Sequence, residues 1–315
     1  MFYTNVRSRV KGSETPARNE TPMQRRLALA LPLLLAALAL SAPAHAGSSA
    51  TVAALQVALH ARGLYRGAID GIPGPLTARA VRALQRRARI TVDGVPGPQT
   101  RRALGRFARH HRIGSRPLHF GLAGWDIAEV QFELAAHGFP SGTLDGIFGP
   151  RLERALRRFQ RWARLHVDGV AGPATLAALR APPASIPLSL AWPLTNATLG
   201  DPFGPRGDRF HSGIDLLAPT GTPVYSARGG KVVYADWADG GWGFLVAVDH
   251  GHGERTFYAH LSRIDVRVGV WIGQGVRVGA VGATGNATGP HLHFEVRVRG
   301  AAVDPLRALA RAVSR

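Results

Sequence analysis

His291-Leu292-His293-Phe294-Glu295-Val296-Arg297-Val298 alternates polar and apolar residues without a break. Such alternation predicts a half-buried β-strand, on which side chains at i and i+2 share one face. Both imidazoles then point into one site. Eighty positions earlier stands His211-Ser212-Gly213-Ile214-Asp215, where Gly213 and the following Leu216-Leu217-Ala218-Pro219 argue against a helix and for a loop running into a strand. Together the two stretches can supply two histidines and one carboxylate. These are ligands that zinc accepts readily, and three of them leave one coordination position open for chemistry.

The same spacing recurs at His250-Gly251-His252, but those histidines lie in a glycine-rich stretch between apolar runs, which reads as a hairpin turn. What separates the two cases is their surroundings. Around the first set stand Phe203-Gly-Pro-Arg206, Pro219-Thr-Gly-Thr-Pro-Val224, Tyr258-Ala-His-Leu-Ser262 and the run from Gly282 to Glu295. Over about 194–305 the chain resembles the LytM/lysostaphin-type zinc peptidases. The resemblance implies a mainly antiparallel β catalytic domain at 193–308 with His211, Asp215 and His293 as zinc ligands. It also implies that His260 and His291 form a catalytic pair, one taking a proton from the attacking water and the other donating one, in an order the sequence leaves open. Asn286-Ala287 replaces a Ser-Thr type pair, and Lys231-Val232-Val233 stands where Thr-Val is common; neither departure touches a ligand. The glycine-rich stretches 240–243 and 282–289 are expected to line the cleft, with Trp242 near it.

Shifting the chain by 75 positions superimposes 52–100 on 127–175 without a gap, matching Leu55 to Val130, Gln56 to Gln131 and Leu59 to Leu134, the mark of a duplicated module. Each copy holds two turn motifs, beginning at Asp70-Gly71, Asp93-Gly94, Asp145-Gly146 and Asp168-Gly169, and each motif ends in a Gly-Pro pair that can open a helix. Between the turns, Val52, Leu55, Gln56 and Leu59 in one segment and Leu152, Leu156, Phe159 and Ala163 in another recur at helical spacing. The pattern resembles the peptidoglycan-binding-domain family over about 49–108 and 124–180. Thr77, Thr100 and Thr175 fit it and Leu152 departs. The expected architecture is therefore multidomain, with two small all-α three-helix peptidoglycan-binding modules, at 49–110 and 124–181, ahead of the β domain. Linkers are expected at 114–123 and 182–192.

A chain of 315 residues that is 45% hydrophobic can bury cores for several domains. The absence of cysteine excludes a cysteine-nucleophile peptidase and any disulfide framework. No H-E-x-x-H helix or G-x-S-x-G elbow competes with the zinc reading. The net charge is +19, and residues 51–180 hold twenty basic against eight acidic side chains, so the repeats carry most of it. Arg154, Arg158 and Arg161 fall on one helix face, which reads as a solvated face. A basic surface could also draw nucleic acid, but no nucleic-acid motif accompanies it and none is expected as a partner.

Arg25-Arg26, the apolar run 27–40 and the small residues Ala44 and Ala46 make 1–46 a signal peptide pattern, with translation starting at Met1 or Met23. The apolar run is short for a bilayer span, so no stable membrane span is expected after cleavage. Together the two resemblances imply an exported zinc metalloendopeptidase, extracellular or cell-wall associated. It would use Zn2+ to cut peptide cross-links or stems of peptidoglycan, with two modules tethering it to the wall. The residues leave the scissile bond and the oligomeric state open. The rival is a catalytically inactive wall-binding scaffold or activator of another hydrolase, against which the five intact positions speak.

Overall fold

Six α-helices and twelve strands are found in the computed structural model of the chain, which describes residues 48–109, 113–181, 183 and 188–309. The 1–46 signal segment and most of the chain between 182 and 187 lie outside the described residues. The helices are α1 (Ala50–His60), α2 (Pro75–Ala88), α3 (Pro98–Arg102), α4 (Trp125–Ala136), α5 (Pro150–Trp162) and α6 (Pro173–Leu179). Four of them, α2, α3, α5 and α6, begin at the proline of a Gly-Pro pair. Proline at the first helical position loses no hydrogen bond, because that N–H has no intrahelical acceptor.

Each Asp-Gly turn is locked by one buried glutamine. Gln160 Nε2 donates to Asp168 Oδ1 at 2.7 Å and Val170 O at 3.0 Å, and its Oε1 accepts the Gly169 N–H at 2.9 Å. Gln56, Gln85 and Gln131 hold Asp70-Gly71, Asp93-Gly94 and Asp145-Gly146 in the same way. Three of the four also donate to a threonine hydroxyl, at Thr77, Thr100 and Thr175. Where Leu152 replaces that threonine, Gln131 Nε2 lies 3.4 Å from Thr143 O instead. Replacing Gln160 by the similarly shaped methionine strands a buried N–H and breaks four bonds at once. We expect a loss of about 2–3 kcal/mol, since an unsatisfied buried polar group costs about 1–3 kcal/mol and broken bonds add to it. An unchanged urea midpoint for Gln160→Met would show the lock to be energetically neutral.

Each repeat has its own core of three helices, and the two pack against each other through α4. Eleven of the twelve residues of α4 are buried, and its Trp125, Ala128 and Phe132 share one core with Ala54, Leu55 and Leu59 of α1. A helix buried on nearly every side needs packing partners all round, and the first repeat supplies one wall. The expected linker at 114–123 is instead part of the second repeat: Leu118 is buried in that repeat's core, Arg116 pairs with Asp126 at 2.8 Å, and Gly121 N–H bonds to Phe148 O. Its glycines and prolines shape a packed loop.

The remaining chain forms β1 (Thr198–Leu199), β2 (Gly204–Arg206), β3 (Arg209–His211), β4 (Ile214–Leu217), β5 (Pro223–Tyr225), β6 (Gly230–Ala238), β7 (Gly243–Asp249), β8 (Glu254–Ile264), β9 (Trp271–Ile272), β10 (Arg277–Val281), β11 (His291–Val298) and β12 (Ala301–Val303). Ten join one antiparallel sheet with the central order β1-β4-β11-β8-β7-β6-β9, while β2 and β3 form a separate hairpin. Tyr258, Phe294, Leu292 and Val246 fill the core on one face of this sheet. His250 and His252 fall in the β7–β8 turn, where both ring nitrogens of His250 meet protein partners, Gly229 O and Thr256 Oγ1.

Both repeats dock on the β domain through backbone bonds. Ile69 N–H reaches Gly207 O and Leu144 N–H reaches Asp208 O, each at 2.8 Å, so both grip the β2–β3 turn. On another edge, Ala302 N–H of β12 bonds to Gly138 O at 3.0 Å, and a Cβ at Gly138, whose φ is +82°, would collide with Ala302 O. No helix among the described residues is long and apolar enough to cross a membrane.

Candidate metal centre

The strand β11 places His291 and His293 on the face opposite its core residues, as the alternation predicts. Its neighbour β4 pairs antiparallel with His293 opposite Asp215, and β3 ends at His211, one short turn before β4. Gly213 makes that turn possible: a Cβ there would collide with Phe294 O and lie 2.9 Å from the His293 ring. On the other flank β8 pairs with β11 with His293 opposite Ala259.

His260 reaches the same face through a bulge. Tyr258 pairs with Val246 and Leu261 with Phe244, so β8 spends one more residue than β7 over this interval. His260 takes a left-handed φ of 60° there, and its N–H bonds to Trp242 O at 3.0 Å. A bulge reverses the in-and-out parity of the strand beyond it. Tyr258 and Leu261 therefore both face the core, while His260 faces the cleft. A non-glycine residue held at positive φ stores strain that the surrounding structure must sustain.

Three donors converge on the floor of the cleft. His293 Nδ1 lies 3.0 Å from His211 Nε2 and 3.0 Å from Asp215 Oδ1, and His211 Nε2 lies 3.2 Å from Asp215 Oδ1. Ligands at zinc's bond lengths of about 2.0–2.2 Å in a tetrahedron stand roughly 3.3–3.5 Å apart, so two nitrogens and one oxygen at these separations fit such an ion with slight expansion. Backbone carbonyls fix the rings: His211 Nδ1 faces Pro202 O at 2.9 Å, His260 Nδ1 faces Thr284 O at 2.8 Å and His291 Nδ1 faces Gly289 O at 2.8 Å. A carbonyl only accepts, so Nδ1 carries the proton in all three and Nε2 keeps its lone pair.

The electrostatics favour positive charge at this spot. Burial pushes the Asp215 carboxyl up, but hydrogen bonds from His211 and His293 outweigh it and hold the group well below the carboxylate range. Burial pulls the His293 ring down, but Asp215 and Glu295 outweigh it and raise the ring to about 9. His260 has no carboxylate at hydrogen-bonding distance among the described residues, and burial lowers it to about 4.

Residues 209–305 match the family model of peptidase family M23, and 48–104 and 124–179 match that of the peptidoglycan binding domain. The chain carries an M23 peptidase domain preceded by two peptidoglycan binding domains. The chain is 41% identical over 120 residues to the DD-carboxypeptidase/endopeptidase Mpg of Neisseria meningitidis, a match covering 36% of this chain and 27% of that one. It is 42% identical over 98 residues to the peptidoglycan DD-endopeptidase ShyB of Vibrio cholerae, covering 31% of this chain and 23% of that one. It thus spans about a quarter of the length of these relatives. Among solved structures, the catalytic domain of lysostaphin from Staphylococcus simulans is 34% identical, with 35% of this chain and 90% of that one covered and a TM-score of 0.34.

The M23 domain brings all five expected positions to one cleft of about 210 Å³, bordered also by Trp242 and Asn286. His260 and His291 stand side by side, their ring centroids 4.8 Å apart, and the Trp242 ring meets His293 edge-on at 5.5 Å. Three supporting residues escaped the sequence reading. Glu295, fully buried, sets Oε2 3.7 Å from His293 Nε2 while Arg297 holds its Oε1 at 2.7 Å. Its position two residues beyond His293 on the same strand face was the available signal. Arg206 bridges Asp201 and Asp215 at 2.8 and 3.4 Å. Thr284 clasps two strands, donating to Leu261 O and accepting from Phe244 N–H while its carbonyl orients His260.

Proposed function

We propose that this chain is an exported zinc metalloendopeptidase that hydrolyses peptide bonds of bacterial peptidoglycan, acting outside the cytoplasm at the wall. His211, Asp215 and His293 are its zinc ligands, and His260 and His291 its proton-transferring pair. The carrying observation is the convergence of those three donors in one cleft beside two further imidazoles. The Vibrio cholerae relative named a peptidoglycan DD-endopeptidase supports the substrate class, and the two binding domains support the wall as partner. The division we propose is a signal segment at 1–46, repeats at 49–110 and 124–181, a linker at 182–192 and the catalytic domain at 193–308.

A bound zinc ion supplies Lewis acidity and lowers the pKa of water. The chain does the rest. His211 and His293 are oriented by Pro202 O and Glu295, so their donor atoms meet Asp215 without rotamer search. His260 and His291, each with Nδ1–H tied to a carbonyl, turn Nε2 toward the cleft as a proton acceptor, and the burial that lowers His260 keeps it neutral at pH 7. Docked repeats place the wall polymer beside the cleft and raise its local concentration.

The test is release of new amine termini from purified peptidoglycan by the zinc-loaded chain, lost with a chelator and restored by zinc. Zinc-loaded protein that binds the wall and releases no amines would replace this reading with that of a non-catalytic scaffold.

A further inference from the structure

Between α5 and the β domain lies a cavity of about 1040 Å³, with Arg151, Arg154, Arg158 and Arg161 on the helix side and Arg209 across from them. No acidic residue lines it among the described residues. Gly240, Gly241 and Asn286 border both this cavity and the metal cleft, so the two spaces adjoin. Arg157 is spoken for, 2.9 Å from Glu153, whereas the other five have no carboxylate within salt-bridge distance among the described residues. Arg158 donates to Pro140 O at 3.3 Å, which steers its guanidinium along the rim.

Two further observations point to a ligand. Ser141, only 5% exposed, borders the cavity with an Oγ that has no hydrogen-bond partner among the described residues. Buried polar atoms are rarely left unpaired, so such an atom marks a place for a partner. The duplication provides the second. Under the 75-residue shift Arg154, Arg157 and Arg161 correspond to Arg79, Arg82 and Arg86, but Arg151 and Arg158 correspond to Leu76 and Ala83. On α5, the two arginines that the first repeat lacks, Arg151 and Arg158, both border the cavity.

We propose that this inter-module cavity is an anion subsite that takes the free carboxylates of a peptide chain running out of the metal cleft. The inference rests on the peptidase reading of that cleft. Arginine's planar fork matches a carboxylate in two-point fashion. From Arg151 to Arg161 the helix rises roughly 15 Å, which suits several charges strung along a chain better than one compact ion. Peptide stems bearing free carboxyl groups would be held with their scissile bond over the metal, and amidated stems would lose that hold.

The test uses the full chain, zinc removed, with a dye-labelled wall stem peptide and the same peptide with every carboxylate amidated, compared by fluorescence anisotropy at low salt. The acid form should bind about tenfold tighter, which is ~1.4 kcal/mol. In Arg151→Gln/Arg158→Gln, whose arginines are exposed and outside the metal site, the advantage should shrink to within about twofold, with the unfolding midpoint unchanged. Equal affinity of the native chain for both peptides overturns the proposal, as does a variant that keeps the full preference. Tighter binding of poly(glycerol phosphate) than of the acidic peptide overturns the carboxylate assignment. Zinc is then restored and cleavage followed. Preference without cleavage sinks the peptidase reading and leaves the subsite, whereas cleavage without preference removes the subsite alone.

Discussion

His293→Ala is expected to strip the chain of zinc. The ring is the hub of the centre: its Nδ1 stands 3.0 Å from both other donors, and its Nε2 faces Glu295. Removing it leaves one imidazole and one carboxylate, too few to hold the ion against a chelator. Changing a residue that only orients a ligand costs about 10–100-fold in metal affinity, so losing the ligand itself should exceed 100-fold. Glu295→Gln provides the internal scale. It keeps the strand and the ring but removes the buried carboxylate behind Nε2, and should fall in that 10–100-fold range. Competitive titration with a chromophoric chelator reads both variants. His293→Ala protein that still carries one zinc per chain after dialysis would show that the ion, if any, sits elsewhere.

The residues that made this centre legible are those whose placement follows from local periodicity. The alternation from His291 to Val298 fixes which side chains share a face, and each Gly-Pro pair fixes a helix start. His260 was not legible on that basis. Counting by twos from Tyr258 puts it in the core, and only the bulge, set by pairing with β7, turns it to the cleft. Family resemblance, not periodicity, pointed to it. The glutamine locks were half visible. Gln56 and Gln131 matched across the repeat, but nothing local says that an amide fourteen residues ahead of an Asp-Gly turn will close it. The docking was illegible, because Gly138 against Ala302 and Ile69 against Gly207 join backbone atoms far apart in sequence. A glycine-rich loop at 114–123 looked like a spacer because its composition records conformational freedom, while Leu118 records burial only once a partner core exists.

His260→Ala should separate binding from turnover. The ring is not one of the three converging donors, and its Nδ1 is tied to Thr284 O, so zinc content should match the native chain. Proton transfer by a positioned side chain contributes about 10²–10⁴-fold, and kcat on a cross-linked muropeptide should drop by that factor. A merely structural role for the ring predicts a different signature, in which zinc is lost or the unfolding midpoint falls along with activity. His291, whose ring centroid lies 4.8 Å away, provides the partner test. Residues that act as one unit are non-additive, so His260→Ala/His291→Ala should lose little more than the worse single variant. A double variant whose loss is the full product of the singles would mean that each ring assists independently. A near-native kcat for zinc-loaded His260→Ala would remove the imidazole from the reaction, and the strained left-handed backbone that the bulge maintains at position 260 would then need another explanation.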